Sequence, residues 1–233
     1  MDRSYATPDS APPPDSAPPP DSAPPPDSVR NSLGGVHLAV VVPVKAFDAA
    51  KARLHGALDD TERSRLARWT ASRVIEAARP ACTFVACDSD DVATLAESLG
   101  ASVLWCPGLG LNGAIDHAVD TITGKGFDHV LVAHGDLPLA DRLTRLARTG
   151  EVVIVPDRRR EGTNVLVRPC ALDLRAAYGP GSFRTHLTAA IATGAPVHVR
   201  LDRRLALDID TVDDCRHPLV AESVTRLLGR SVT

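Results

Sequence analysis

The sequence lacks the features of several common protein classes. Its 233 residues include five cysteines, none in a Cys-x-x-Cys pair, so neither a zinc knuckle nor a disulfide framework is indicated. No apolar run approaches the ~20 residues that cross a bilayer, and no basic segment followed by an apolar one begins the chain. The net charge of −3 gives no field that would gather nucleic acid or an anionic membrane. We therefore expect a cytoplasmic protein that binds neither, and a local site for any anionic substrate.

The N-terminal segment repeats Ser-Ala-Pro-Pro-Pro-Asp in tandem from Ser10 to Asp27. It contains no apolar residue larger than alanine or proline, so it cannot bury enough surface to order itself. We predict a disordered Pro-rich tail over residues 1–34 and a single folded domain over residues 35–233. A polyproline ligand or spacer is the functional alternative to an inert tail.

From Gly35 onward, short β-rich runs alternate with helical periodicity, which is typical of an α/β domain with a mostly parallel open sheet and flanking helices. The predicted strands cover residues 36–45, 83–89, 102–107, 129–136, 152–157, 163–169, 197–201 and 205–210. The predicted helices cover residues 59–79, 90–100, 112–126, 140–149, 182–194 and 211–229.

Three aspartates follow or occupy predicted strands. Asp136 ends a central strand, at the edge where open α/β sheets bind their ligands. In "LALDID" the period of two places Asp208 and Asp210 on one face and the apolar residues on the other. Neighbouring carboxylates repel one another unless a cation lies between them, and Mg²⁺ favours such oxygen ligands. Helix capping by Asp136 and a solvated Asp208–Asp210 pair are the structural alternatives.

Positive charges follow the first strand in "VPVKAFDAAKARL", namely Lys45, Lys51 and Arg53. Lys45 is the preferred phosphate-binding candidate, although a lysine that leads into a helix is more often solvated. The run 158–160 contains three arginines, which we interpret as a solvated turn. A P-loop enzyme is disfavoured because G-x-x-x-x-G-K-[ST] is absent.

A second anion site is indicated by "YGPGSFRTH". Gly179 allows close backbone approach, and Ser182 stands where it could cap the next helix, whose positive end would face a bound anion. An ordinary Gly-Pro-Gly loop with a serine cap is the alternative.

Six ordered motifs resemble the 2-phospho-L-lactate and phosphoenolpyruvate guanylyltransferases of coenzyme F420 biosynthesis. The likeness runs from about Val36 to Val212, and its motifs are "VPVKAFDAAKARL", "GLGLNGAIDHA", "GDLPL", "PDRRREGTNVL", "YGPGS" and "LDIDT". Each motif is weak alone, but their order and spacing make chance agreement improbable.

The resemblance implies a glycosyltransferase-A-like nucleotidyltransferase. Such an enzyme would use Mg²⁺ to transfer GMP from GTP to a small phosphorylated acid and release diphosphate, and a later transferase of the F420 pathway would be its partner. The roles that the resemblance implies are Asp136, Asp208 and Asp210 for the metal; Thr163, Gly179 and Ser182 for the phosphoacid; Lys45 and Arg53 for the triphosphate; Asn112 near the nucleoside; and Lys45 and Asp136 as catalytic residues.

Two functions from other classes stay open at this stage. A metal-dependent glycosyltransferase also uses Asp-x-Asp, but is expected to carry it near mid-chain, and a non-catalytic nucleotide-binding module would use the same residues. Among phosphoenolpyruvate, 2-phospho-L-lactate and 3-phospho-D-glycerate, we favour the first, by likeness to alanine- and arginine-rich actinobacterial members. The oligomeric state and a role for His134 are not predicted.

Overall fold

A mixed β-sheet forms the centre of the fold. The computed structural model describes residues 32–33 and 36–233, and the proline repeat lies outside this part of the chain. The strands are β1 (Ser32–Leu33), β2 (Val36–Pro43), β3 (Cys82–Cys87), β4 (Ser102–Trp105), β5 (His129–Ala133), β6 (Val152–Pro156), β7 (Thr163–Pro169) and β8 (Val197–Val199). Their order is β4-β3-β2-β5-β7-β6-β8, with β1 paired to β2. This confirms the predicted α/β class with a mostly parallel sheet.

Strand direction determines which side chains meet at the carboxyl edge of the sheet, where the parallel strands β2 to β5 end. Strands β2, β3, β4 and β5 are mutually parallel, and β8 is parallel to β6. Strand β7 is antiparallel to both β5 and β6, so it starts at the edge where they end. Ala133 at the end of β5 pairs with Val165 near the start of β7. The beginning of β7 therefore lies beside the segment that carries Asp136.

Helices cover both faces of the sheet. They are α1 (Asp60–Ala77), α2 (Asp90–Ser98), α3 (Gly110–Gly124), α4 (Ser182–Ala192), α5 (Val212–Cys215) and α6 (Ala221–Leu228), with single 3₁₀ turns at Ala52–Leu54 and Leu143–Leu146. Val40 and Val42 of β2 pack on the α1 side, whereas Val41 packs on the α3 side. A strand buried on both faces explains the continuous apolar run of β2. None of the helices in the described ranges is long and apolar enough to cross a membrane.

Helix α1 begins as its sequence predicts. Asp59 accepts a hydrogen bond from the Glu62 backbone N–H at 2.8 Å, and Glu62 accepts one from the Asp59 N–H at 3.1 Å. This reciprocal capping box satisfies two backbone donors that the first helical turn leaves free.

Three predicted elements were wrong. Residues 140–149 form only the 3₁₀ turn Leu143–Leu146, because Arg142 adopts a φ of 43° that a continuous helix cannot contain. The stretch 211–229 forms two helices, since Pro218 lacks the N–H that a continuous helix needs. Residues 205–210 form no strand. Their side chains nonetheless alternate as predicted, with Leu207 and Ile209 fully buried.

Candidate active site

Three carboxylates converge at the carboxyl edge of the sheet. One oxygen from each of Asp136, Asp208 and Asp210 lies within 4.8 Å of the others. Asp136 follows β5, whereas Asp208 and Asp210 lie on the extended segment before α5. The Ile209 N–H donates to the Asp136 carbonyl oxygen at 3.2 Å, which joins the two segments. The structure thus brings together the three aspartates that the sequence analysis assigned to one cation.

Asp214 fixes the backbone beside Asp210. Its Oδ2 atom accepts hydrogen bonds from the Asp210 N–H at 3.0 Å, the Thr211 N–H at 2.8 Å and the Thr211 hydroxyl at 2.8 Å. Its Oδ1 atom pairs with the Arg158 guanidinium. Arg158 therefore has an ion-pair partner, while all three arginines of the run, 158–160, are exposed as the predicted solvated turn requires.

Lys51 belongs to the carboxylate cluster, a position that the sequence analysis missed. Its Nζ atom lies 3.2 Å from Asp136 Oδ2 and 3.3 Å from Asp210 Oδ1, and its side chain is only 6% exposed. Lys45, which the sequence analysis preferred, is exposed, as is Arg53. Both lysines belong to the same motif, and their spacing alone could not show which side chain turns inward. What distinguishes Lys51 in the structure is its backbone φ of 59°, which is uncommon for a residue with a side chain.

The pKa values in this cluster follow from burial and charge. Burial alone would lower the pKa of Lys51, but Asp136 and Asp210 outweigh burial and raise it. Burial alone would raise the pKa of Asp136, but Lys51 and then His134 outweigh burial and lower it. Burial, followed by repulsion from Asp136 and Asp210, raises the pKa of Asp208 to about 6. Asp208 is thus the carboxyl whose charge Lys51 does not compensate.

The carboxylate cluster fits a hard divalent cation. Its donor atoms are all carboxylate oxygens, the ligand type that Mg²⁺ prefers. The Asp136 Oδ1 atom is also buried without a hydrogen-bond partner, and a buried acceptor in this state is costly unless something binds it.

A cavity of about 390 Å³ opens next to the carboxylates. Its lining consists of the loop after β2, the first turns around Lys51 and Arg53, and the segment after β5. Lys45, Lys51, Arg53, Asp136 and Asp210 all face this cavity. A second cavity of about 250 Å³ shares Lys45 and Leu111 with it and extends to the end of β4.

The motif "GLGLNGAIDHA" contains a glycine pattern at the start of α3 that the sequence analysis did not single out. Gly108, Gly110 and Gly113 form a G-x-G-x-x-G sequence directly after β4, and the first two have φ values of 72° and 63°. Because this pattern follows the edge strand β4 instead of the first central strand β2, it is not the arrangement that binds dinucleotides. Gly110 instead lines the second cavity.

The residues predicted to bind the phosphoacid lie together at the start of β7 and α4. The Thr163 N–H donates to the Ser182 hydroxyl at 3.1 Å, and the Ser182 N–H donates to the Gly179 carbonyl at 3.1 Å. The carbonyl of Asn164, next to Thr163, accepts from the His134 N–H at 3.1 Å. Residues 179–182 form a loop that we call the acceptor loop, after the acid predicted to bind there. This loop and β7 are therefore connected to the segment that carries Asp136.

His186 supports this region and was not predicted. Its Nε2 atom accepts from the Ala177 N–H at 3.0 Å, so its Nδ1 atom must carry the proton and donate to the Thr163 hydroxyl at 3.0 Å. Burial, with a smaller effect of His134, lowers the pKa of His186 to about 4, so the ring is neutral. His134, which has no predicted role, contacts the Tyr178 ring in a tilted arrangement with the ring centroids 4.9 Å apart, and Tyr178 in turn contacts the His186 ring edge-on at 4.6 Å.

Asn112 lies where its amide binds the chain just before the acceptor loop. Its Oδ1 atom accepts from the Tyr178 N–H at 2.7 Å, and its Nδ2 atom donates to the Tyr178 carbonyl at 3.1 Å. The sequence analysis placed Asn112 near a nucleoside, whereas in the structure both of its polar groups are paired with this backbone.

Comparison with known families gives a match over most of the folded chain. Residues 38–225 match the family model described as "Guanylyl transferase CofC like". A phosphoenolpyruvate guanylyltransferase from Rubrobacter xylanophilus is 38% identical over 183 residues, which are 75% of this chain and 89% of that protein. A 2-phospho-L-lactate guanylyltransferase from Methanothermobacter thermautotrophicus is 35% identical over 183 residues, 75% of this chain and 80% of that protein.

Solved structures show the same fold at lower identity. A putative nucleotide-diphospho-sugar transferase from Desulfovibrio desulfuricans has a TM-score of 0.66 at 17% identity and covers 83% of this chain and 93% of its own. A nucleotidyl transferase from Methanothermobacter has a TM-score of 0.57 at 16% identity, with 83% and 98% covered. The fold is that of the nucleotide-diphospho-sugar transferases, as the predicted glycosyltransferase-A-like architecture implied.

The raised pKa of Asp208 predicts the effect of Asp208→Asn on stability. A carboxyl whose pKa rises from 3.8 to about 6 on folding favours folding below about pH 4, and this contribution is lost as the pH rises through 6. At pH 7.5 without divalent cations, Asp208→Asn should therefore raise the melting temperature, by about 2–4 °C. Thermal unfolding in EDTA measures this, with the exposed Asp213→Asn as the control. A lower melting temperature for Asp208→Asn would contradict it.

Proposed function

Since this chain belongs to the family of CofC-like guanylyl transferases, we propose that it transfers GMP from GTP to phosphoenolpyruvate and releases diphosphate. The product would be enolpyruvoyl-2-diphospho-5′-guanosine, a precursor that a later transferase of coenzyme F420 biosynthesis would consume. The observation that carries the proposal is the carboxylate cluster around Lys51 at the edge of a nucleotidyltransferase sheet.

Asp136, Asp208 and Asp210 would hold Mg²⁺. When bound, the ion would neutralise the negative charge of the phosphate oxygens during transfer. Asp136 contributes the buried, unpartnered Oδ1 atom, and its low pKa keeps this carboxylate ionised at neutral pH; burial, which would raise that pKa, is outweighed by Lys51 and His134. Support for Asp210 comes from Asp214, which holds the backbone of residues 210 and 211 in place.

The cations that line the cavity suit a triphosphate. Lys51 is held by two carboxylates and faces the cavity from within, whereas Lys45 and Arg53 face it from the exposed rim. We assign Lys51 to the phosphate nearest the metal site and the other two to the remaining phosphates. The guanosine would occupy the adjoining cavity at the glycine pattern that begins α3, where backbone can approach the ligand closely.

The acceptor acid would bind at Thr163, Gly179 and Ser182. Helix α4 begins at Ser182, and the positive end of its dipole favours an anion, although the Ser182 and Phe183 N–H groups already donate to the Gly179 and Glu161 carbonyls. An oxygen of the acceptor phosphate then attacks the α-phosphorus of GTP in line, the α–β bridging P–O bond breaks, and diphosphate leaves. No covalent intermediate with the protein is needed, so these residues act by positioning and by charge neutralisation.

The first prediction tests the reaction itself. With GTP, phosphoenolpyruvate and Mg²⁺, the purified protein should release diphosphate, and EDTA should abolish the release. Asp136→Asn removes one metal ligand with little change in volume, and should lower kcat by about 10²–10³ while the fold persists. Asp213→Asn, an exposed change of the same kind, should leave kcat unchanged. Transfer from a nucleotide sugar would favour the glycosyltransferase alternative, and GTP binding without turnover would favour the binding module.

A second prediction separates the two lysines. Lys51→Met removes the ammonium group between Asp136 and Asp210, so kcat/KM should fall by about 100-fold or more, and the metal-free protein should melt at a lower temperature. Lys45→Met is the matched control at the exposed rim and should lower kcat/KM by less than about tenfold. Equal losses in the two variants, or a larger loss for Lys45→Met, would restore the original assignment to Lys45.

A third prediction concerns the acid. Relatives of similar identity are named for phosphoenolpyruvate and for 2-phospho-L-lactate, and shape at the phosphate-bearing carbon separates such substrates by only ~1–3 kcal/mol. We expect the highest kcat/KM with phosphoenolpyruvate when it is compared with 2-phospho-L-lactate and 3-phospho-D-glycerate. A higher kcat/KM for either of the other acids would change the assigned acceptor acid but not the assignment of GMP transfer.

A further inference from the structure

Side chains from two helices hold the backbone that leads into the acceptor loop. The Ala176 N–H donates to Asp116 Oδ1 at 2.9 Å, and the Ala177 N–H donates to His186 Nε2 at 3.0 Å. The Tyr178 N–H and carbonyl pair with the Asn112 amide at 2.7 and 3.1 Å. Three consecutive residues without regular secondary structure are thereby fixed by α3 and α4.

Asn112 makes two of these four hydrogen bonds. Its amide binds both backbone groups of one residue, which fixes the position and the orientation of the Tyr178 backbone. The next residue, Gly179, has a φ of 137°, a conformation open essentially to glycine alone. The direction in which the loop leaves Tyr178 therefore depends on the Asn112 amide. The Ser182 N–H then closes the loop onto the Gly179 carbonyl.

The location of Asn112 also connects the two proposed substrate sites. It is the third residue of α3, and its neighbour Leu111 lines both cavities near the carboxylates. The first turn of α3 thus contacts the nucleotide side through Leu111 and the acceptor loop through Asn112.

We propose that Asn112, assisted by Asp116, is a positioning residue for the acceptor loop and sets the affinity for the phosphorylated acid, not for the nucleoside. This inference rests on the proposed function, because it takes the loop to be the acid site. Neither side chain touches the acid. Each acts through the backbone that it holds, so its loss should weaken acid binding more than GTP binding.

Steady-state kinetics of matched variants test this. Asn112→Ala removes two hydrogen bonds and should raise KM for phosphoenolpyruvate about tenfold or more, with KM for GTP changed by less than about twofold. Asp116→Ala should act in the same direction, whereas Asp116→Asn keeps an oxygen for the Ala176 N–H and should stay near wild type. Thr121→Ala is the control, because the Thr121 hydroxyl donates to the His117 carbonyl of the same helix.

Calorimetric titration supplies a readout that does not need turnover. Phosphoenolpyruvate with Mg²⁺, in the absence of GTP, should bind Asn112→Ala about tenfold more weakly than wild type. A rise in KM for GTP alone would restore the nucleoside role and overturn the proposal. A rise in both KM values with a large fall in melting temperature would show that Asn112 only stabilises the fold, and would overturn the proposal. If wild type neither binds the acid nor releases diphosphate, the proposed function itself fails, whereas active wild type with unchanged acid affinity in Asn112→Ala refutes only this inference.

Discussion

Repulsion among three carboxylates is the constraint on which the rest of this site depends. Asp136, Asp208 and Asp210 are half-buried and within 4.8 Å of one another, so their charges are poorly screened by water. The buried ammonium group of Lys51 relieves part of this repulsion, because it pairs with two of the three. Its backbone adopts the left-handed region to reach them, a conformation that costs free energy and persists only where surrounding contacts compensate.

Contacts outside the cluster hold the three carboxylates close together despite their mutual repulsion. Leu207 and Ile209 are buried in a core with residues of α1 and α6, so burial of these apolar side chains positions Asp208 between them and Asp210 directly after them. The Ile209 N–H fastens this segment to the Asp136 backbone, and Thr211 and Asp214 form the capping box of α5, in which the Asp214 carboxylate also accepts from the Asp210 N–H. Strand β7 completes the arrangement: because it is antiparallel to β5, its first residues bring Thr163 and Asn164 to the edge where the carboxylates lie.

The sequence predicted those strands and helix ends that are specified by residues close together in the chain. The apolar β-branched runs of β2, β5, β6 and β7 specify strands by themselves, and the Asp59–Glu62 pair marks the start of α1. The period of two in "LALDID" correctly predicted which side chains are buried, but not that the segment lacks a neighbouring strand, since pairing depends on distant parts of the chain. The same limit explains Lys51 and Asn112. Their partners are 85 and 66 residues away, and only the fold decides which side chain reaches them.

Charge balance explains why a buried lysine and a metal site can share the same carboxylates. Three ionised aspartates and one ammonium group leave two negative charges, which one divalent cation would balance. Without that cation the excess falls on Asp208, since Lys51 pairs with the other two, and burial together with those neighbours raises its pKa to about 6. GTP and a phosphorylated acid would then add further negative charge to a site already balanced. The exposed cations Lys45 and Arg53 at the cavity rim would meet most of that additional charge, whereas Lys51 already pairs with two carboxylates before it meets the phosphate nearest the metal site.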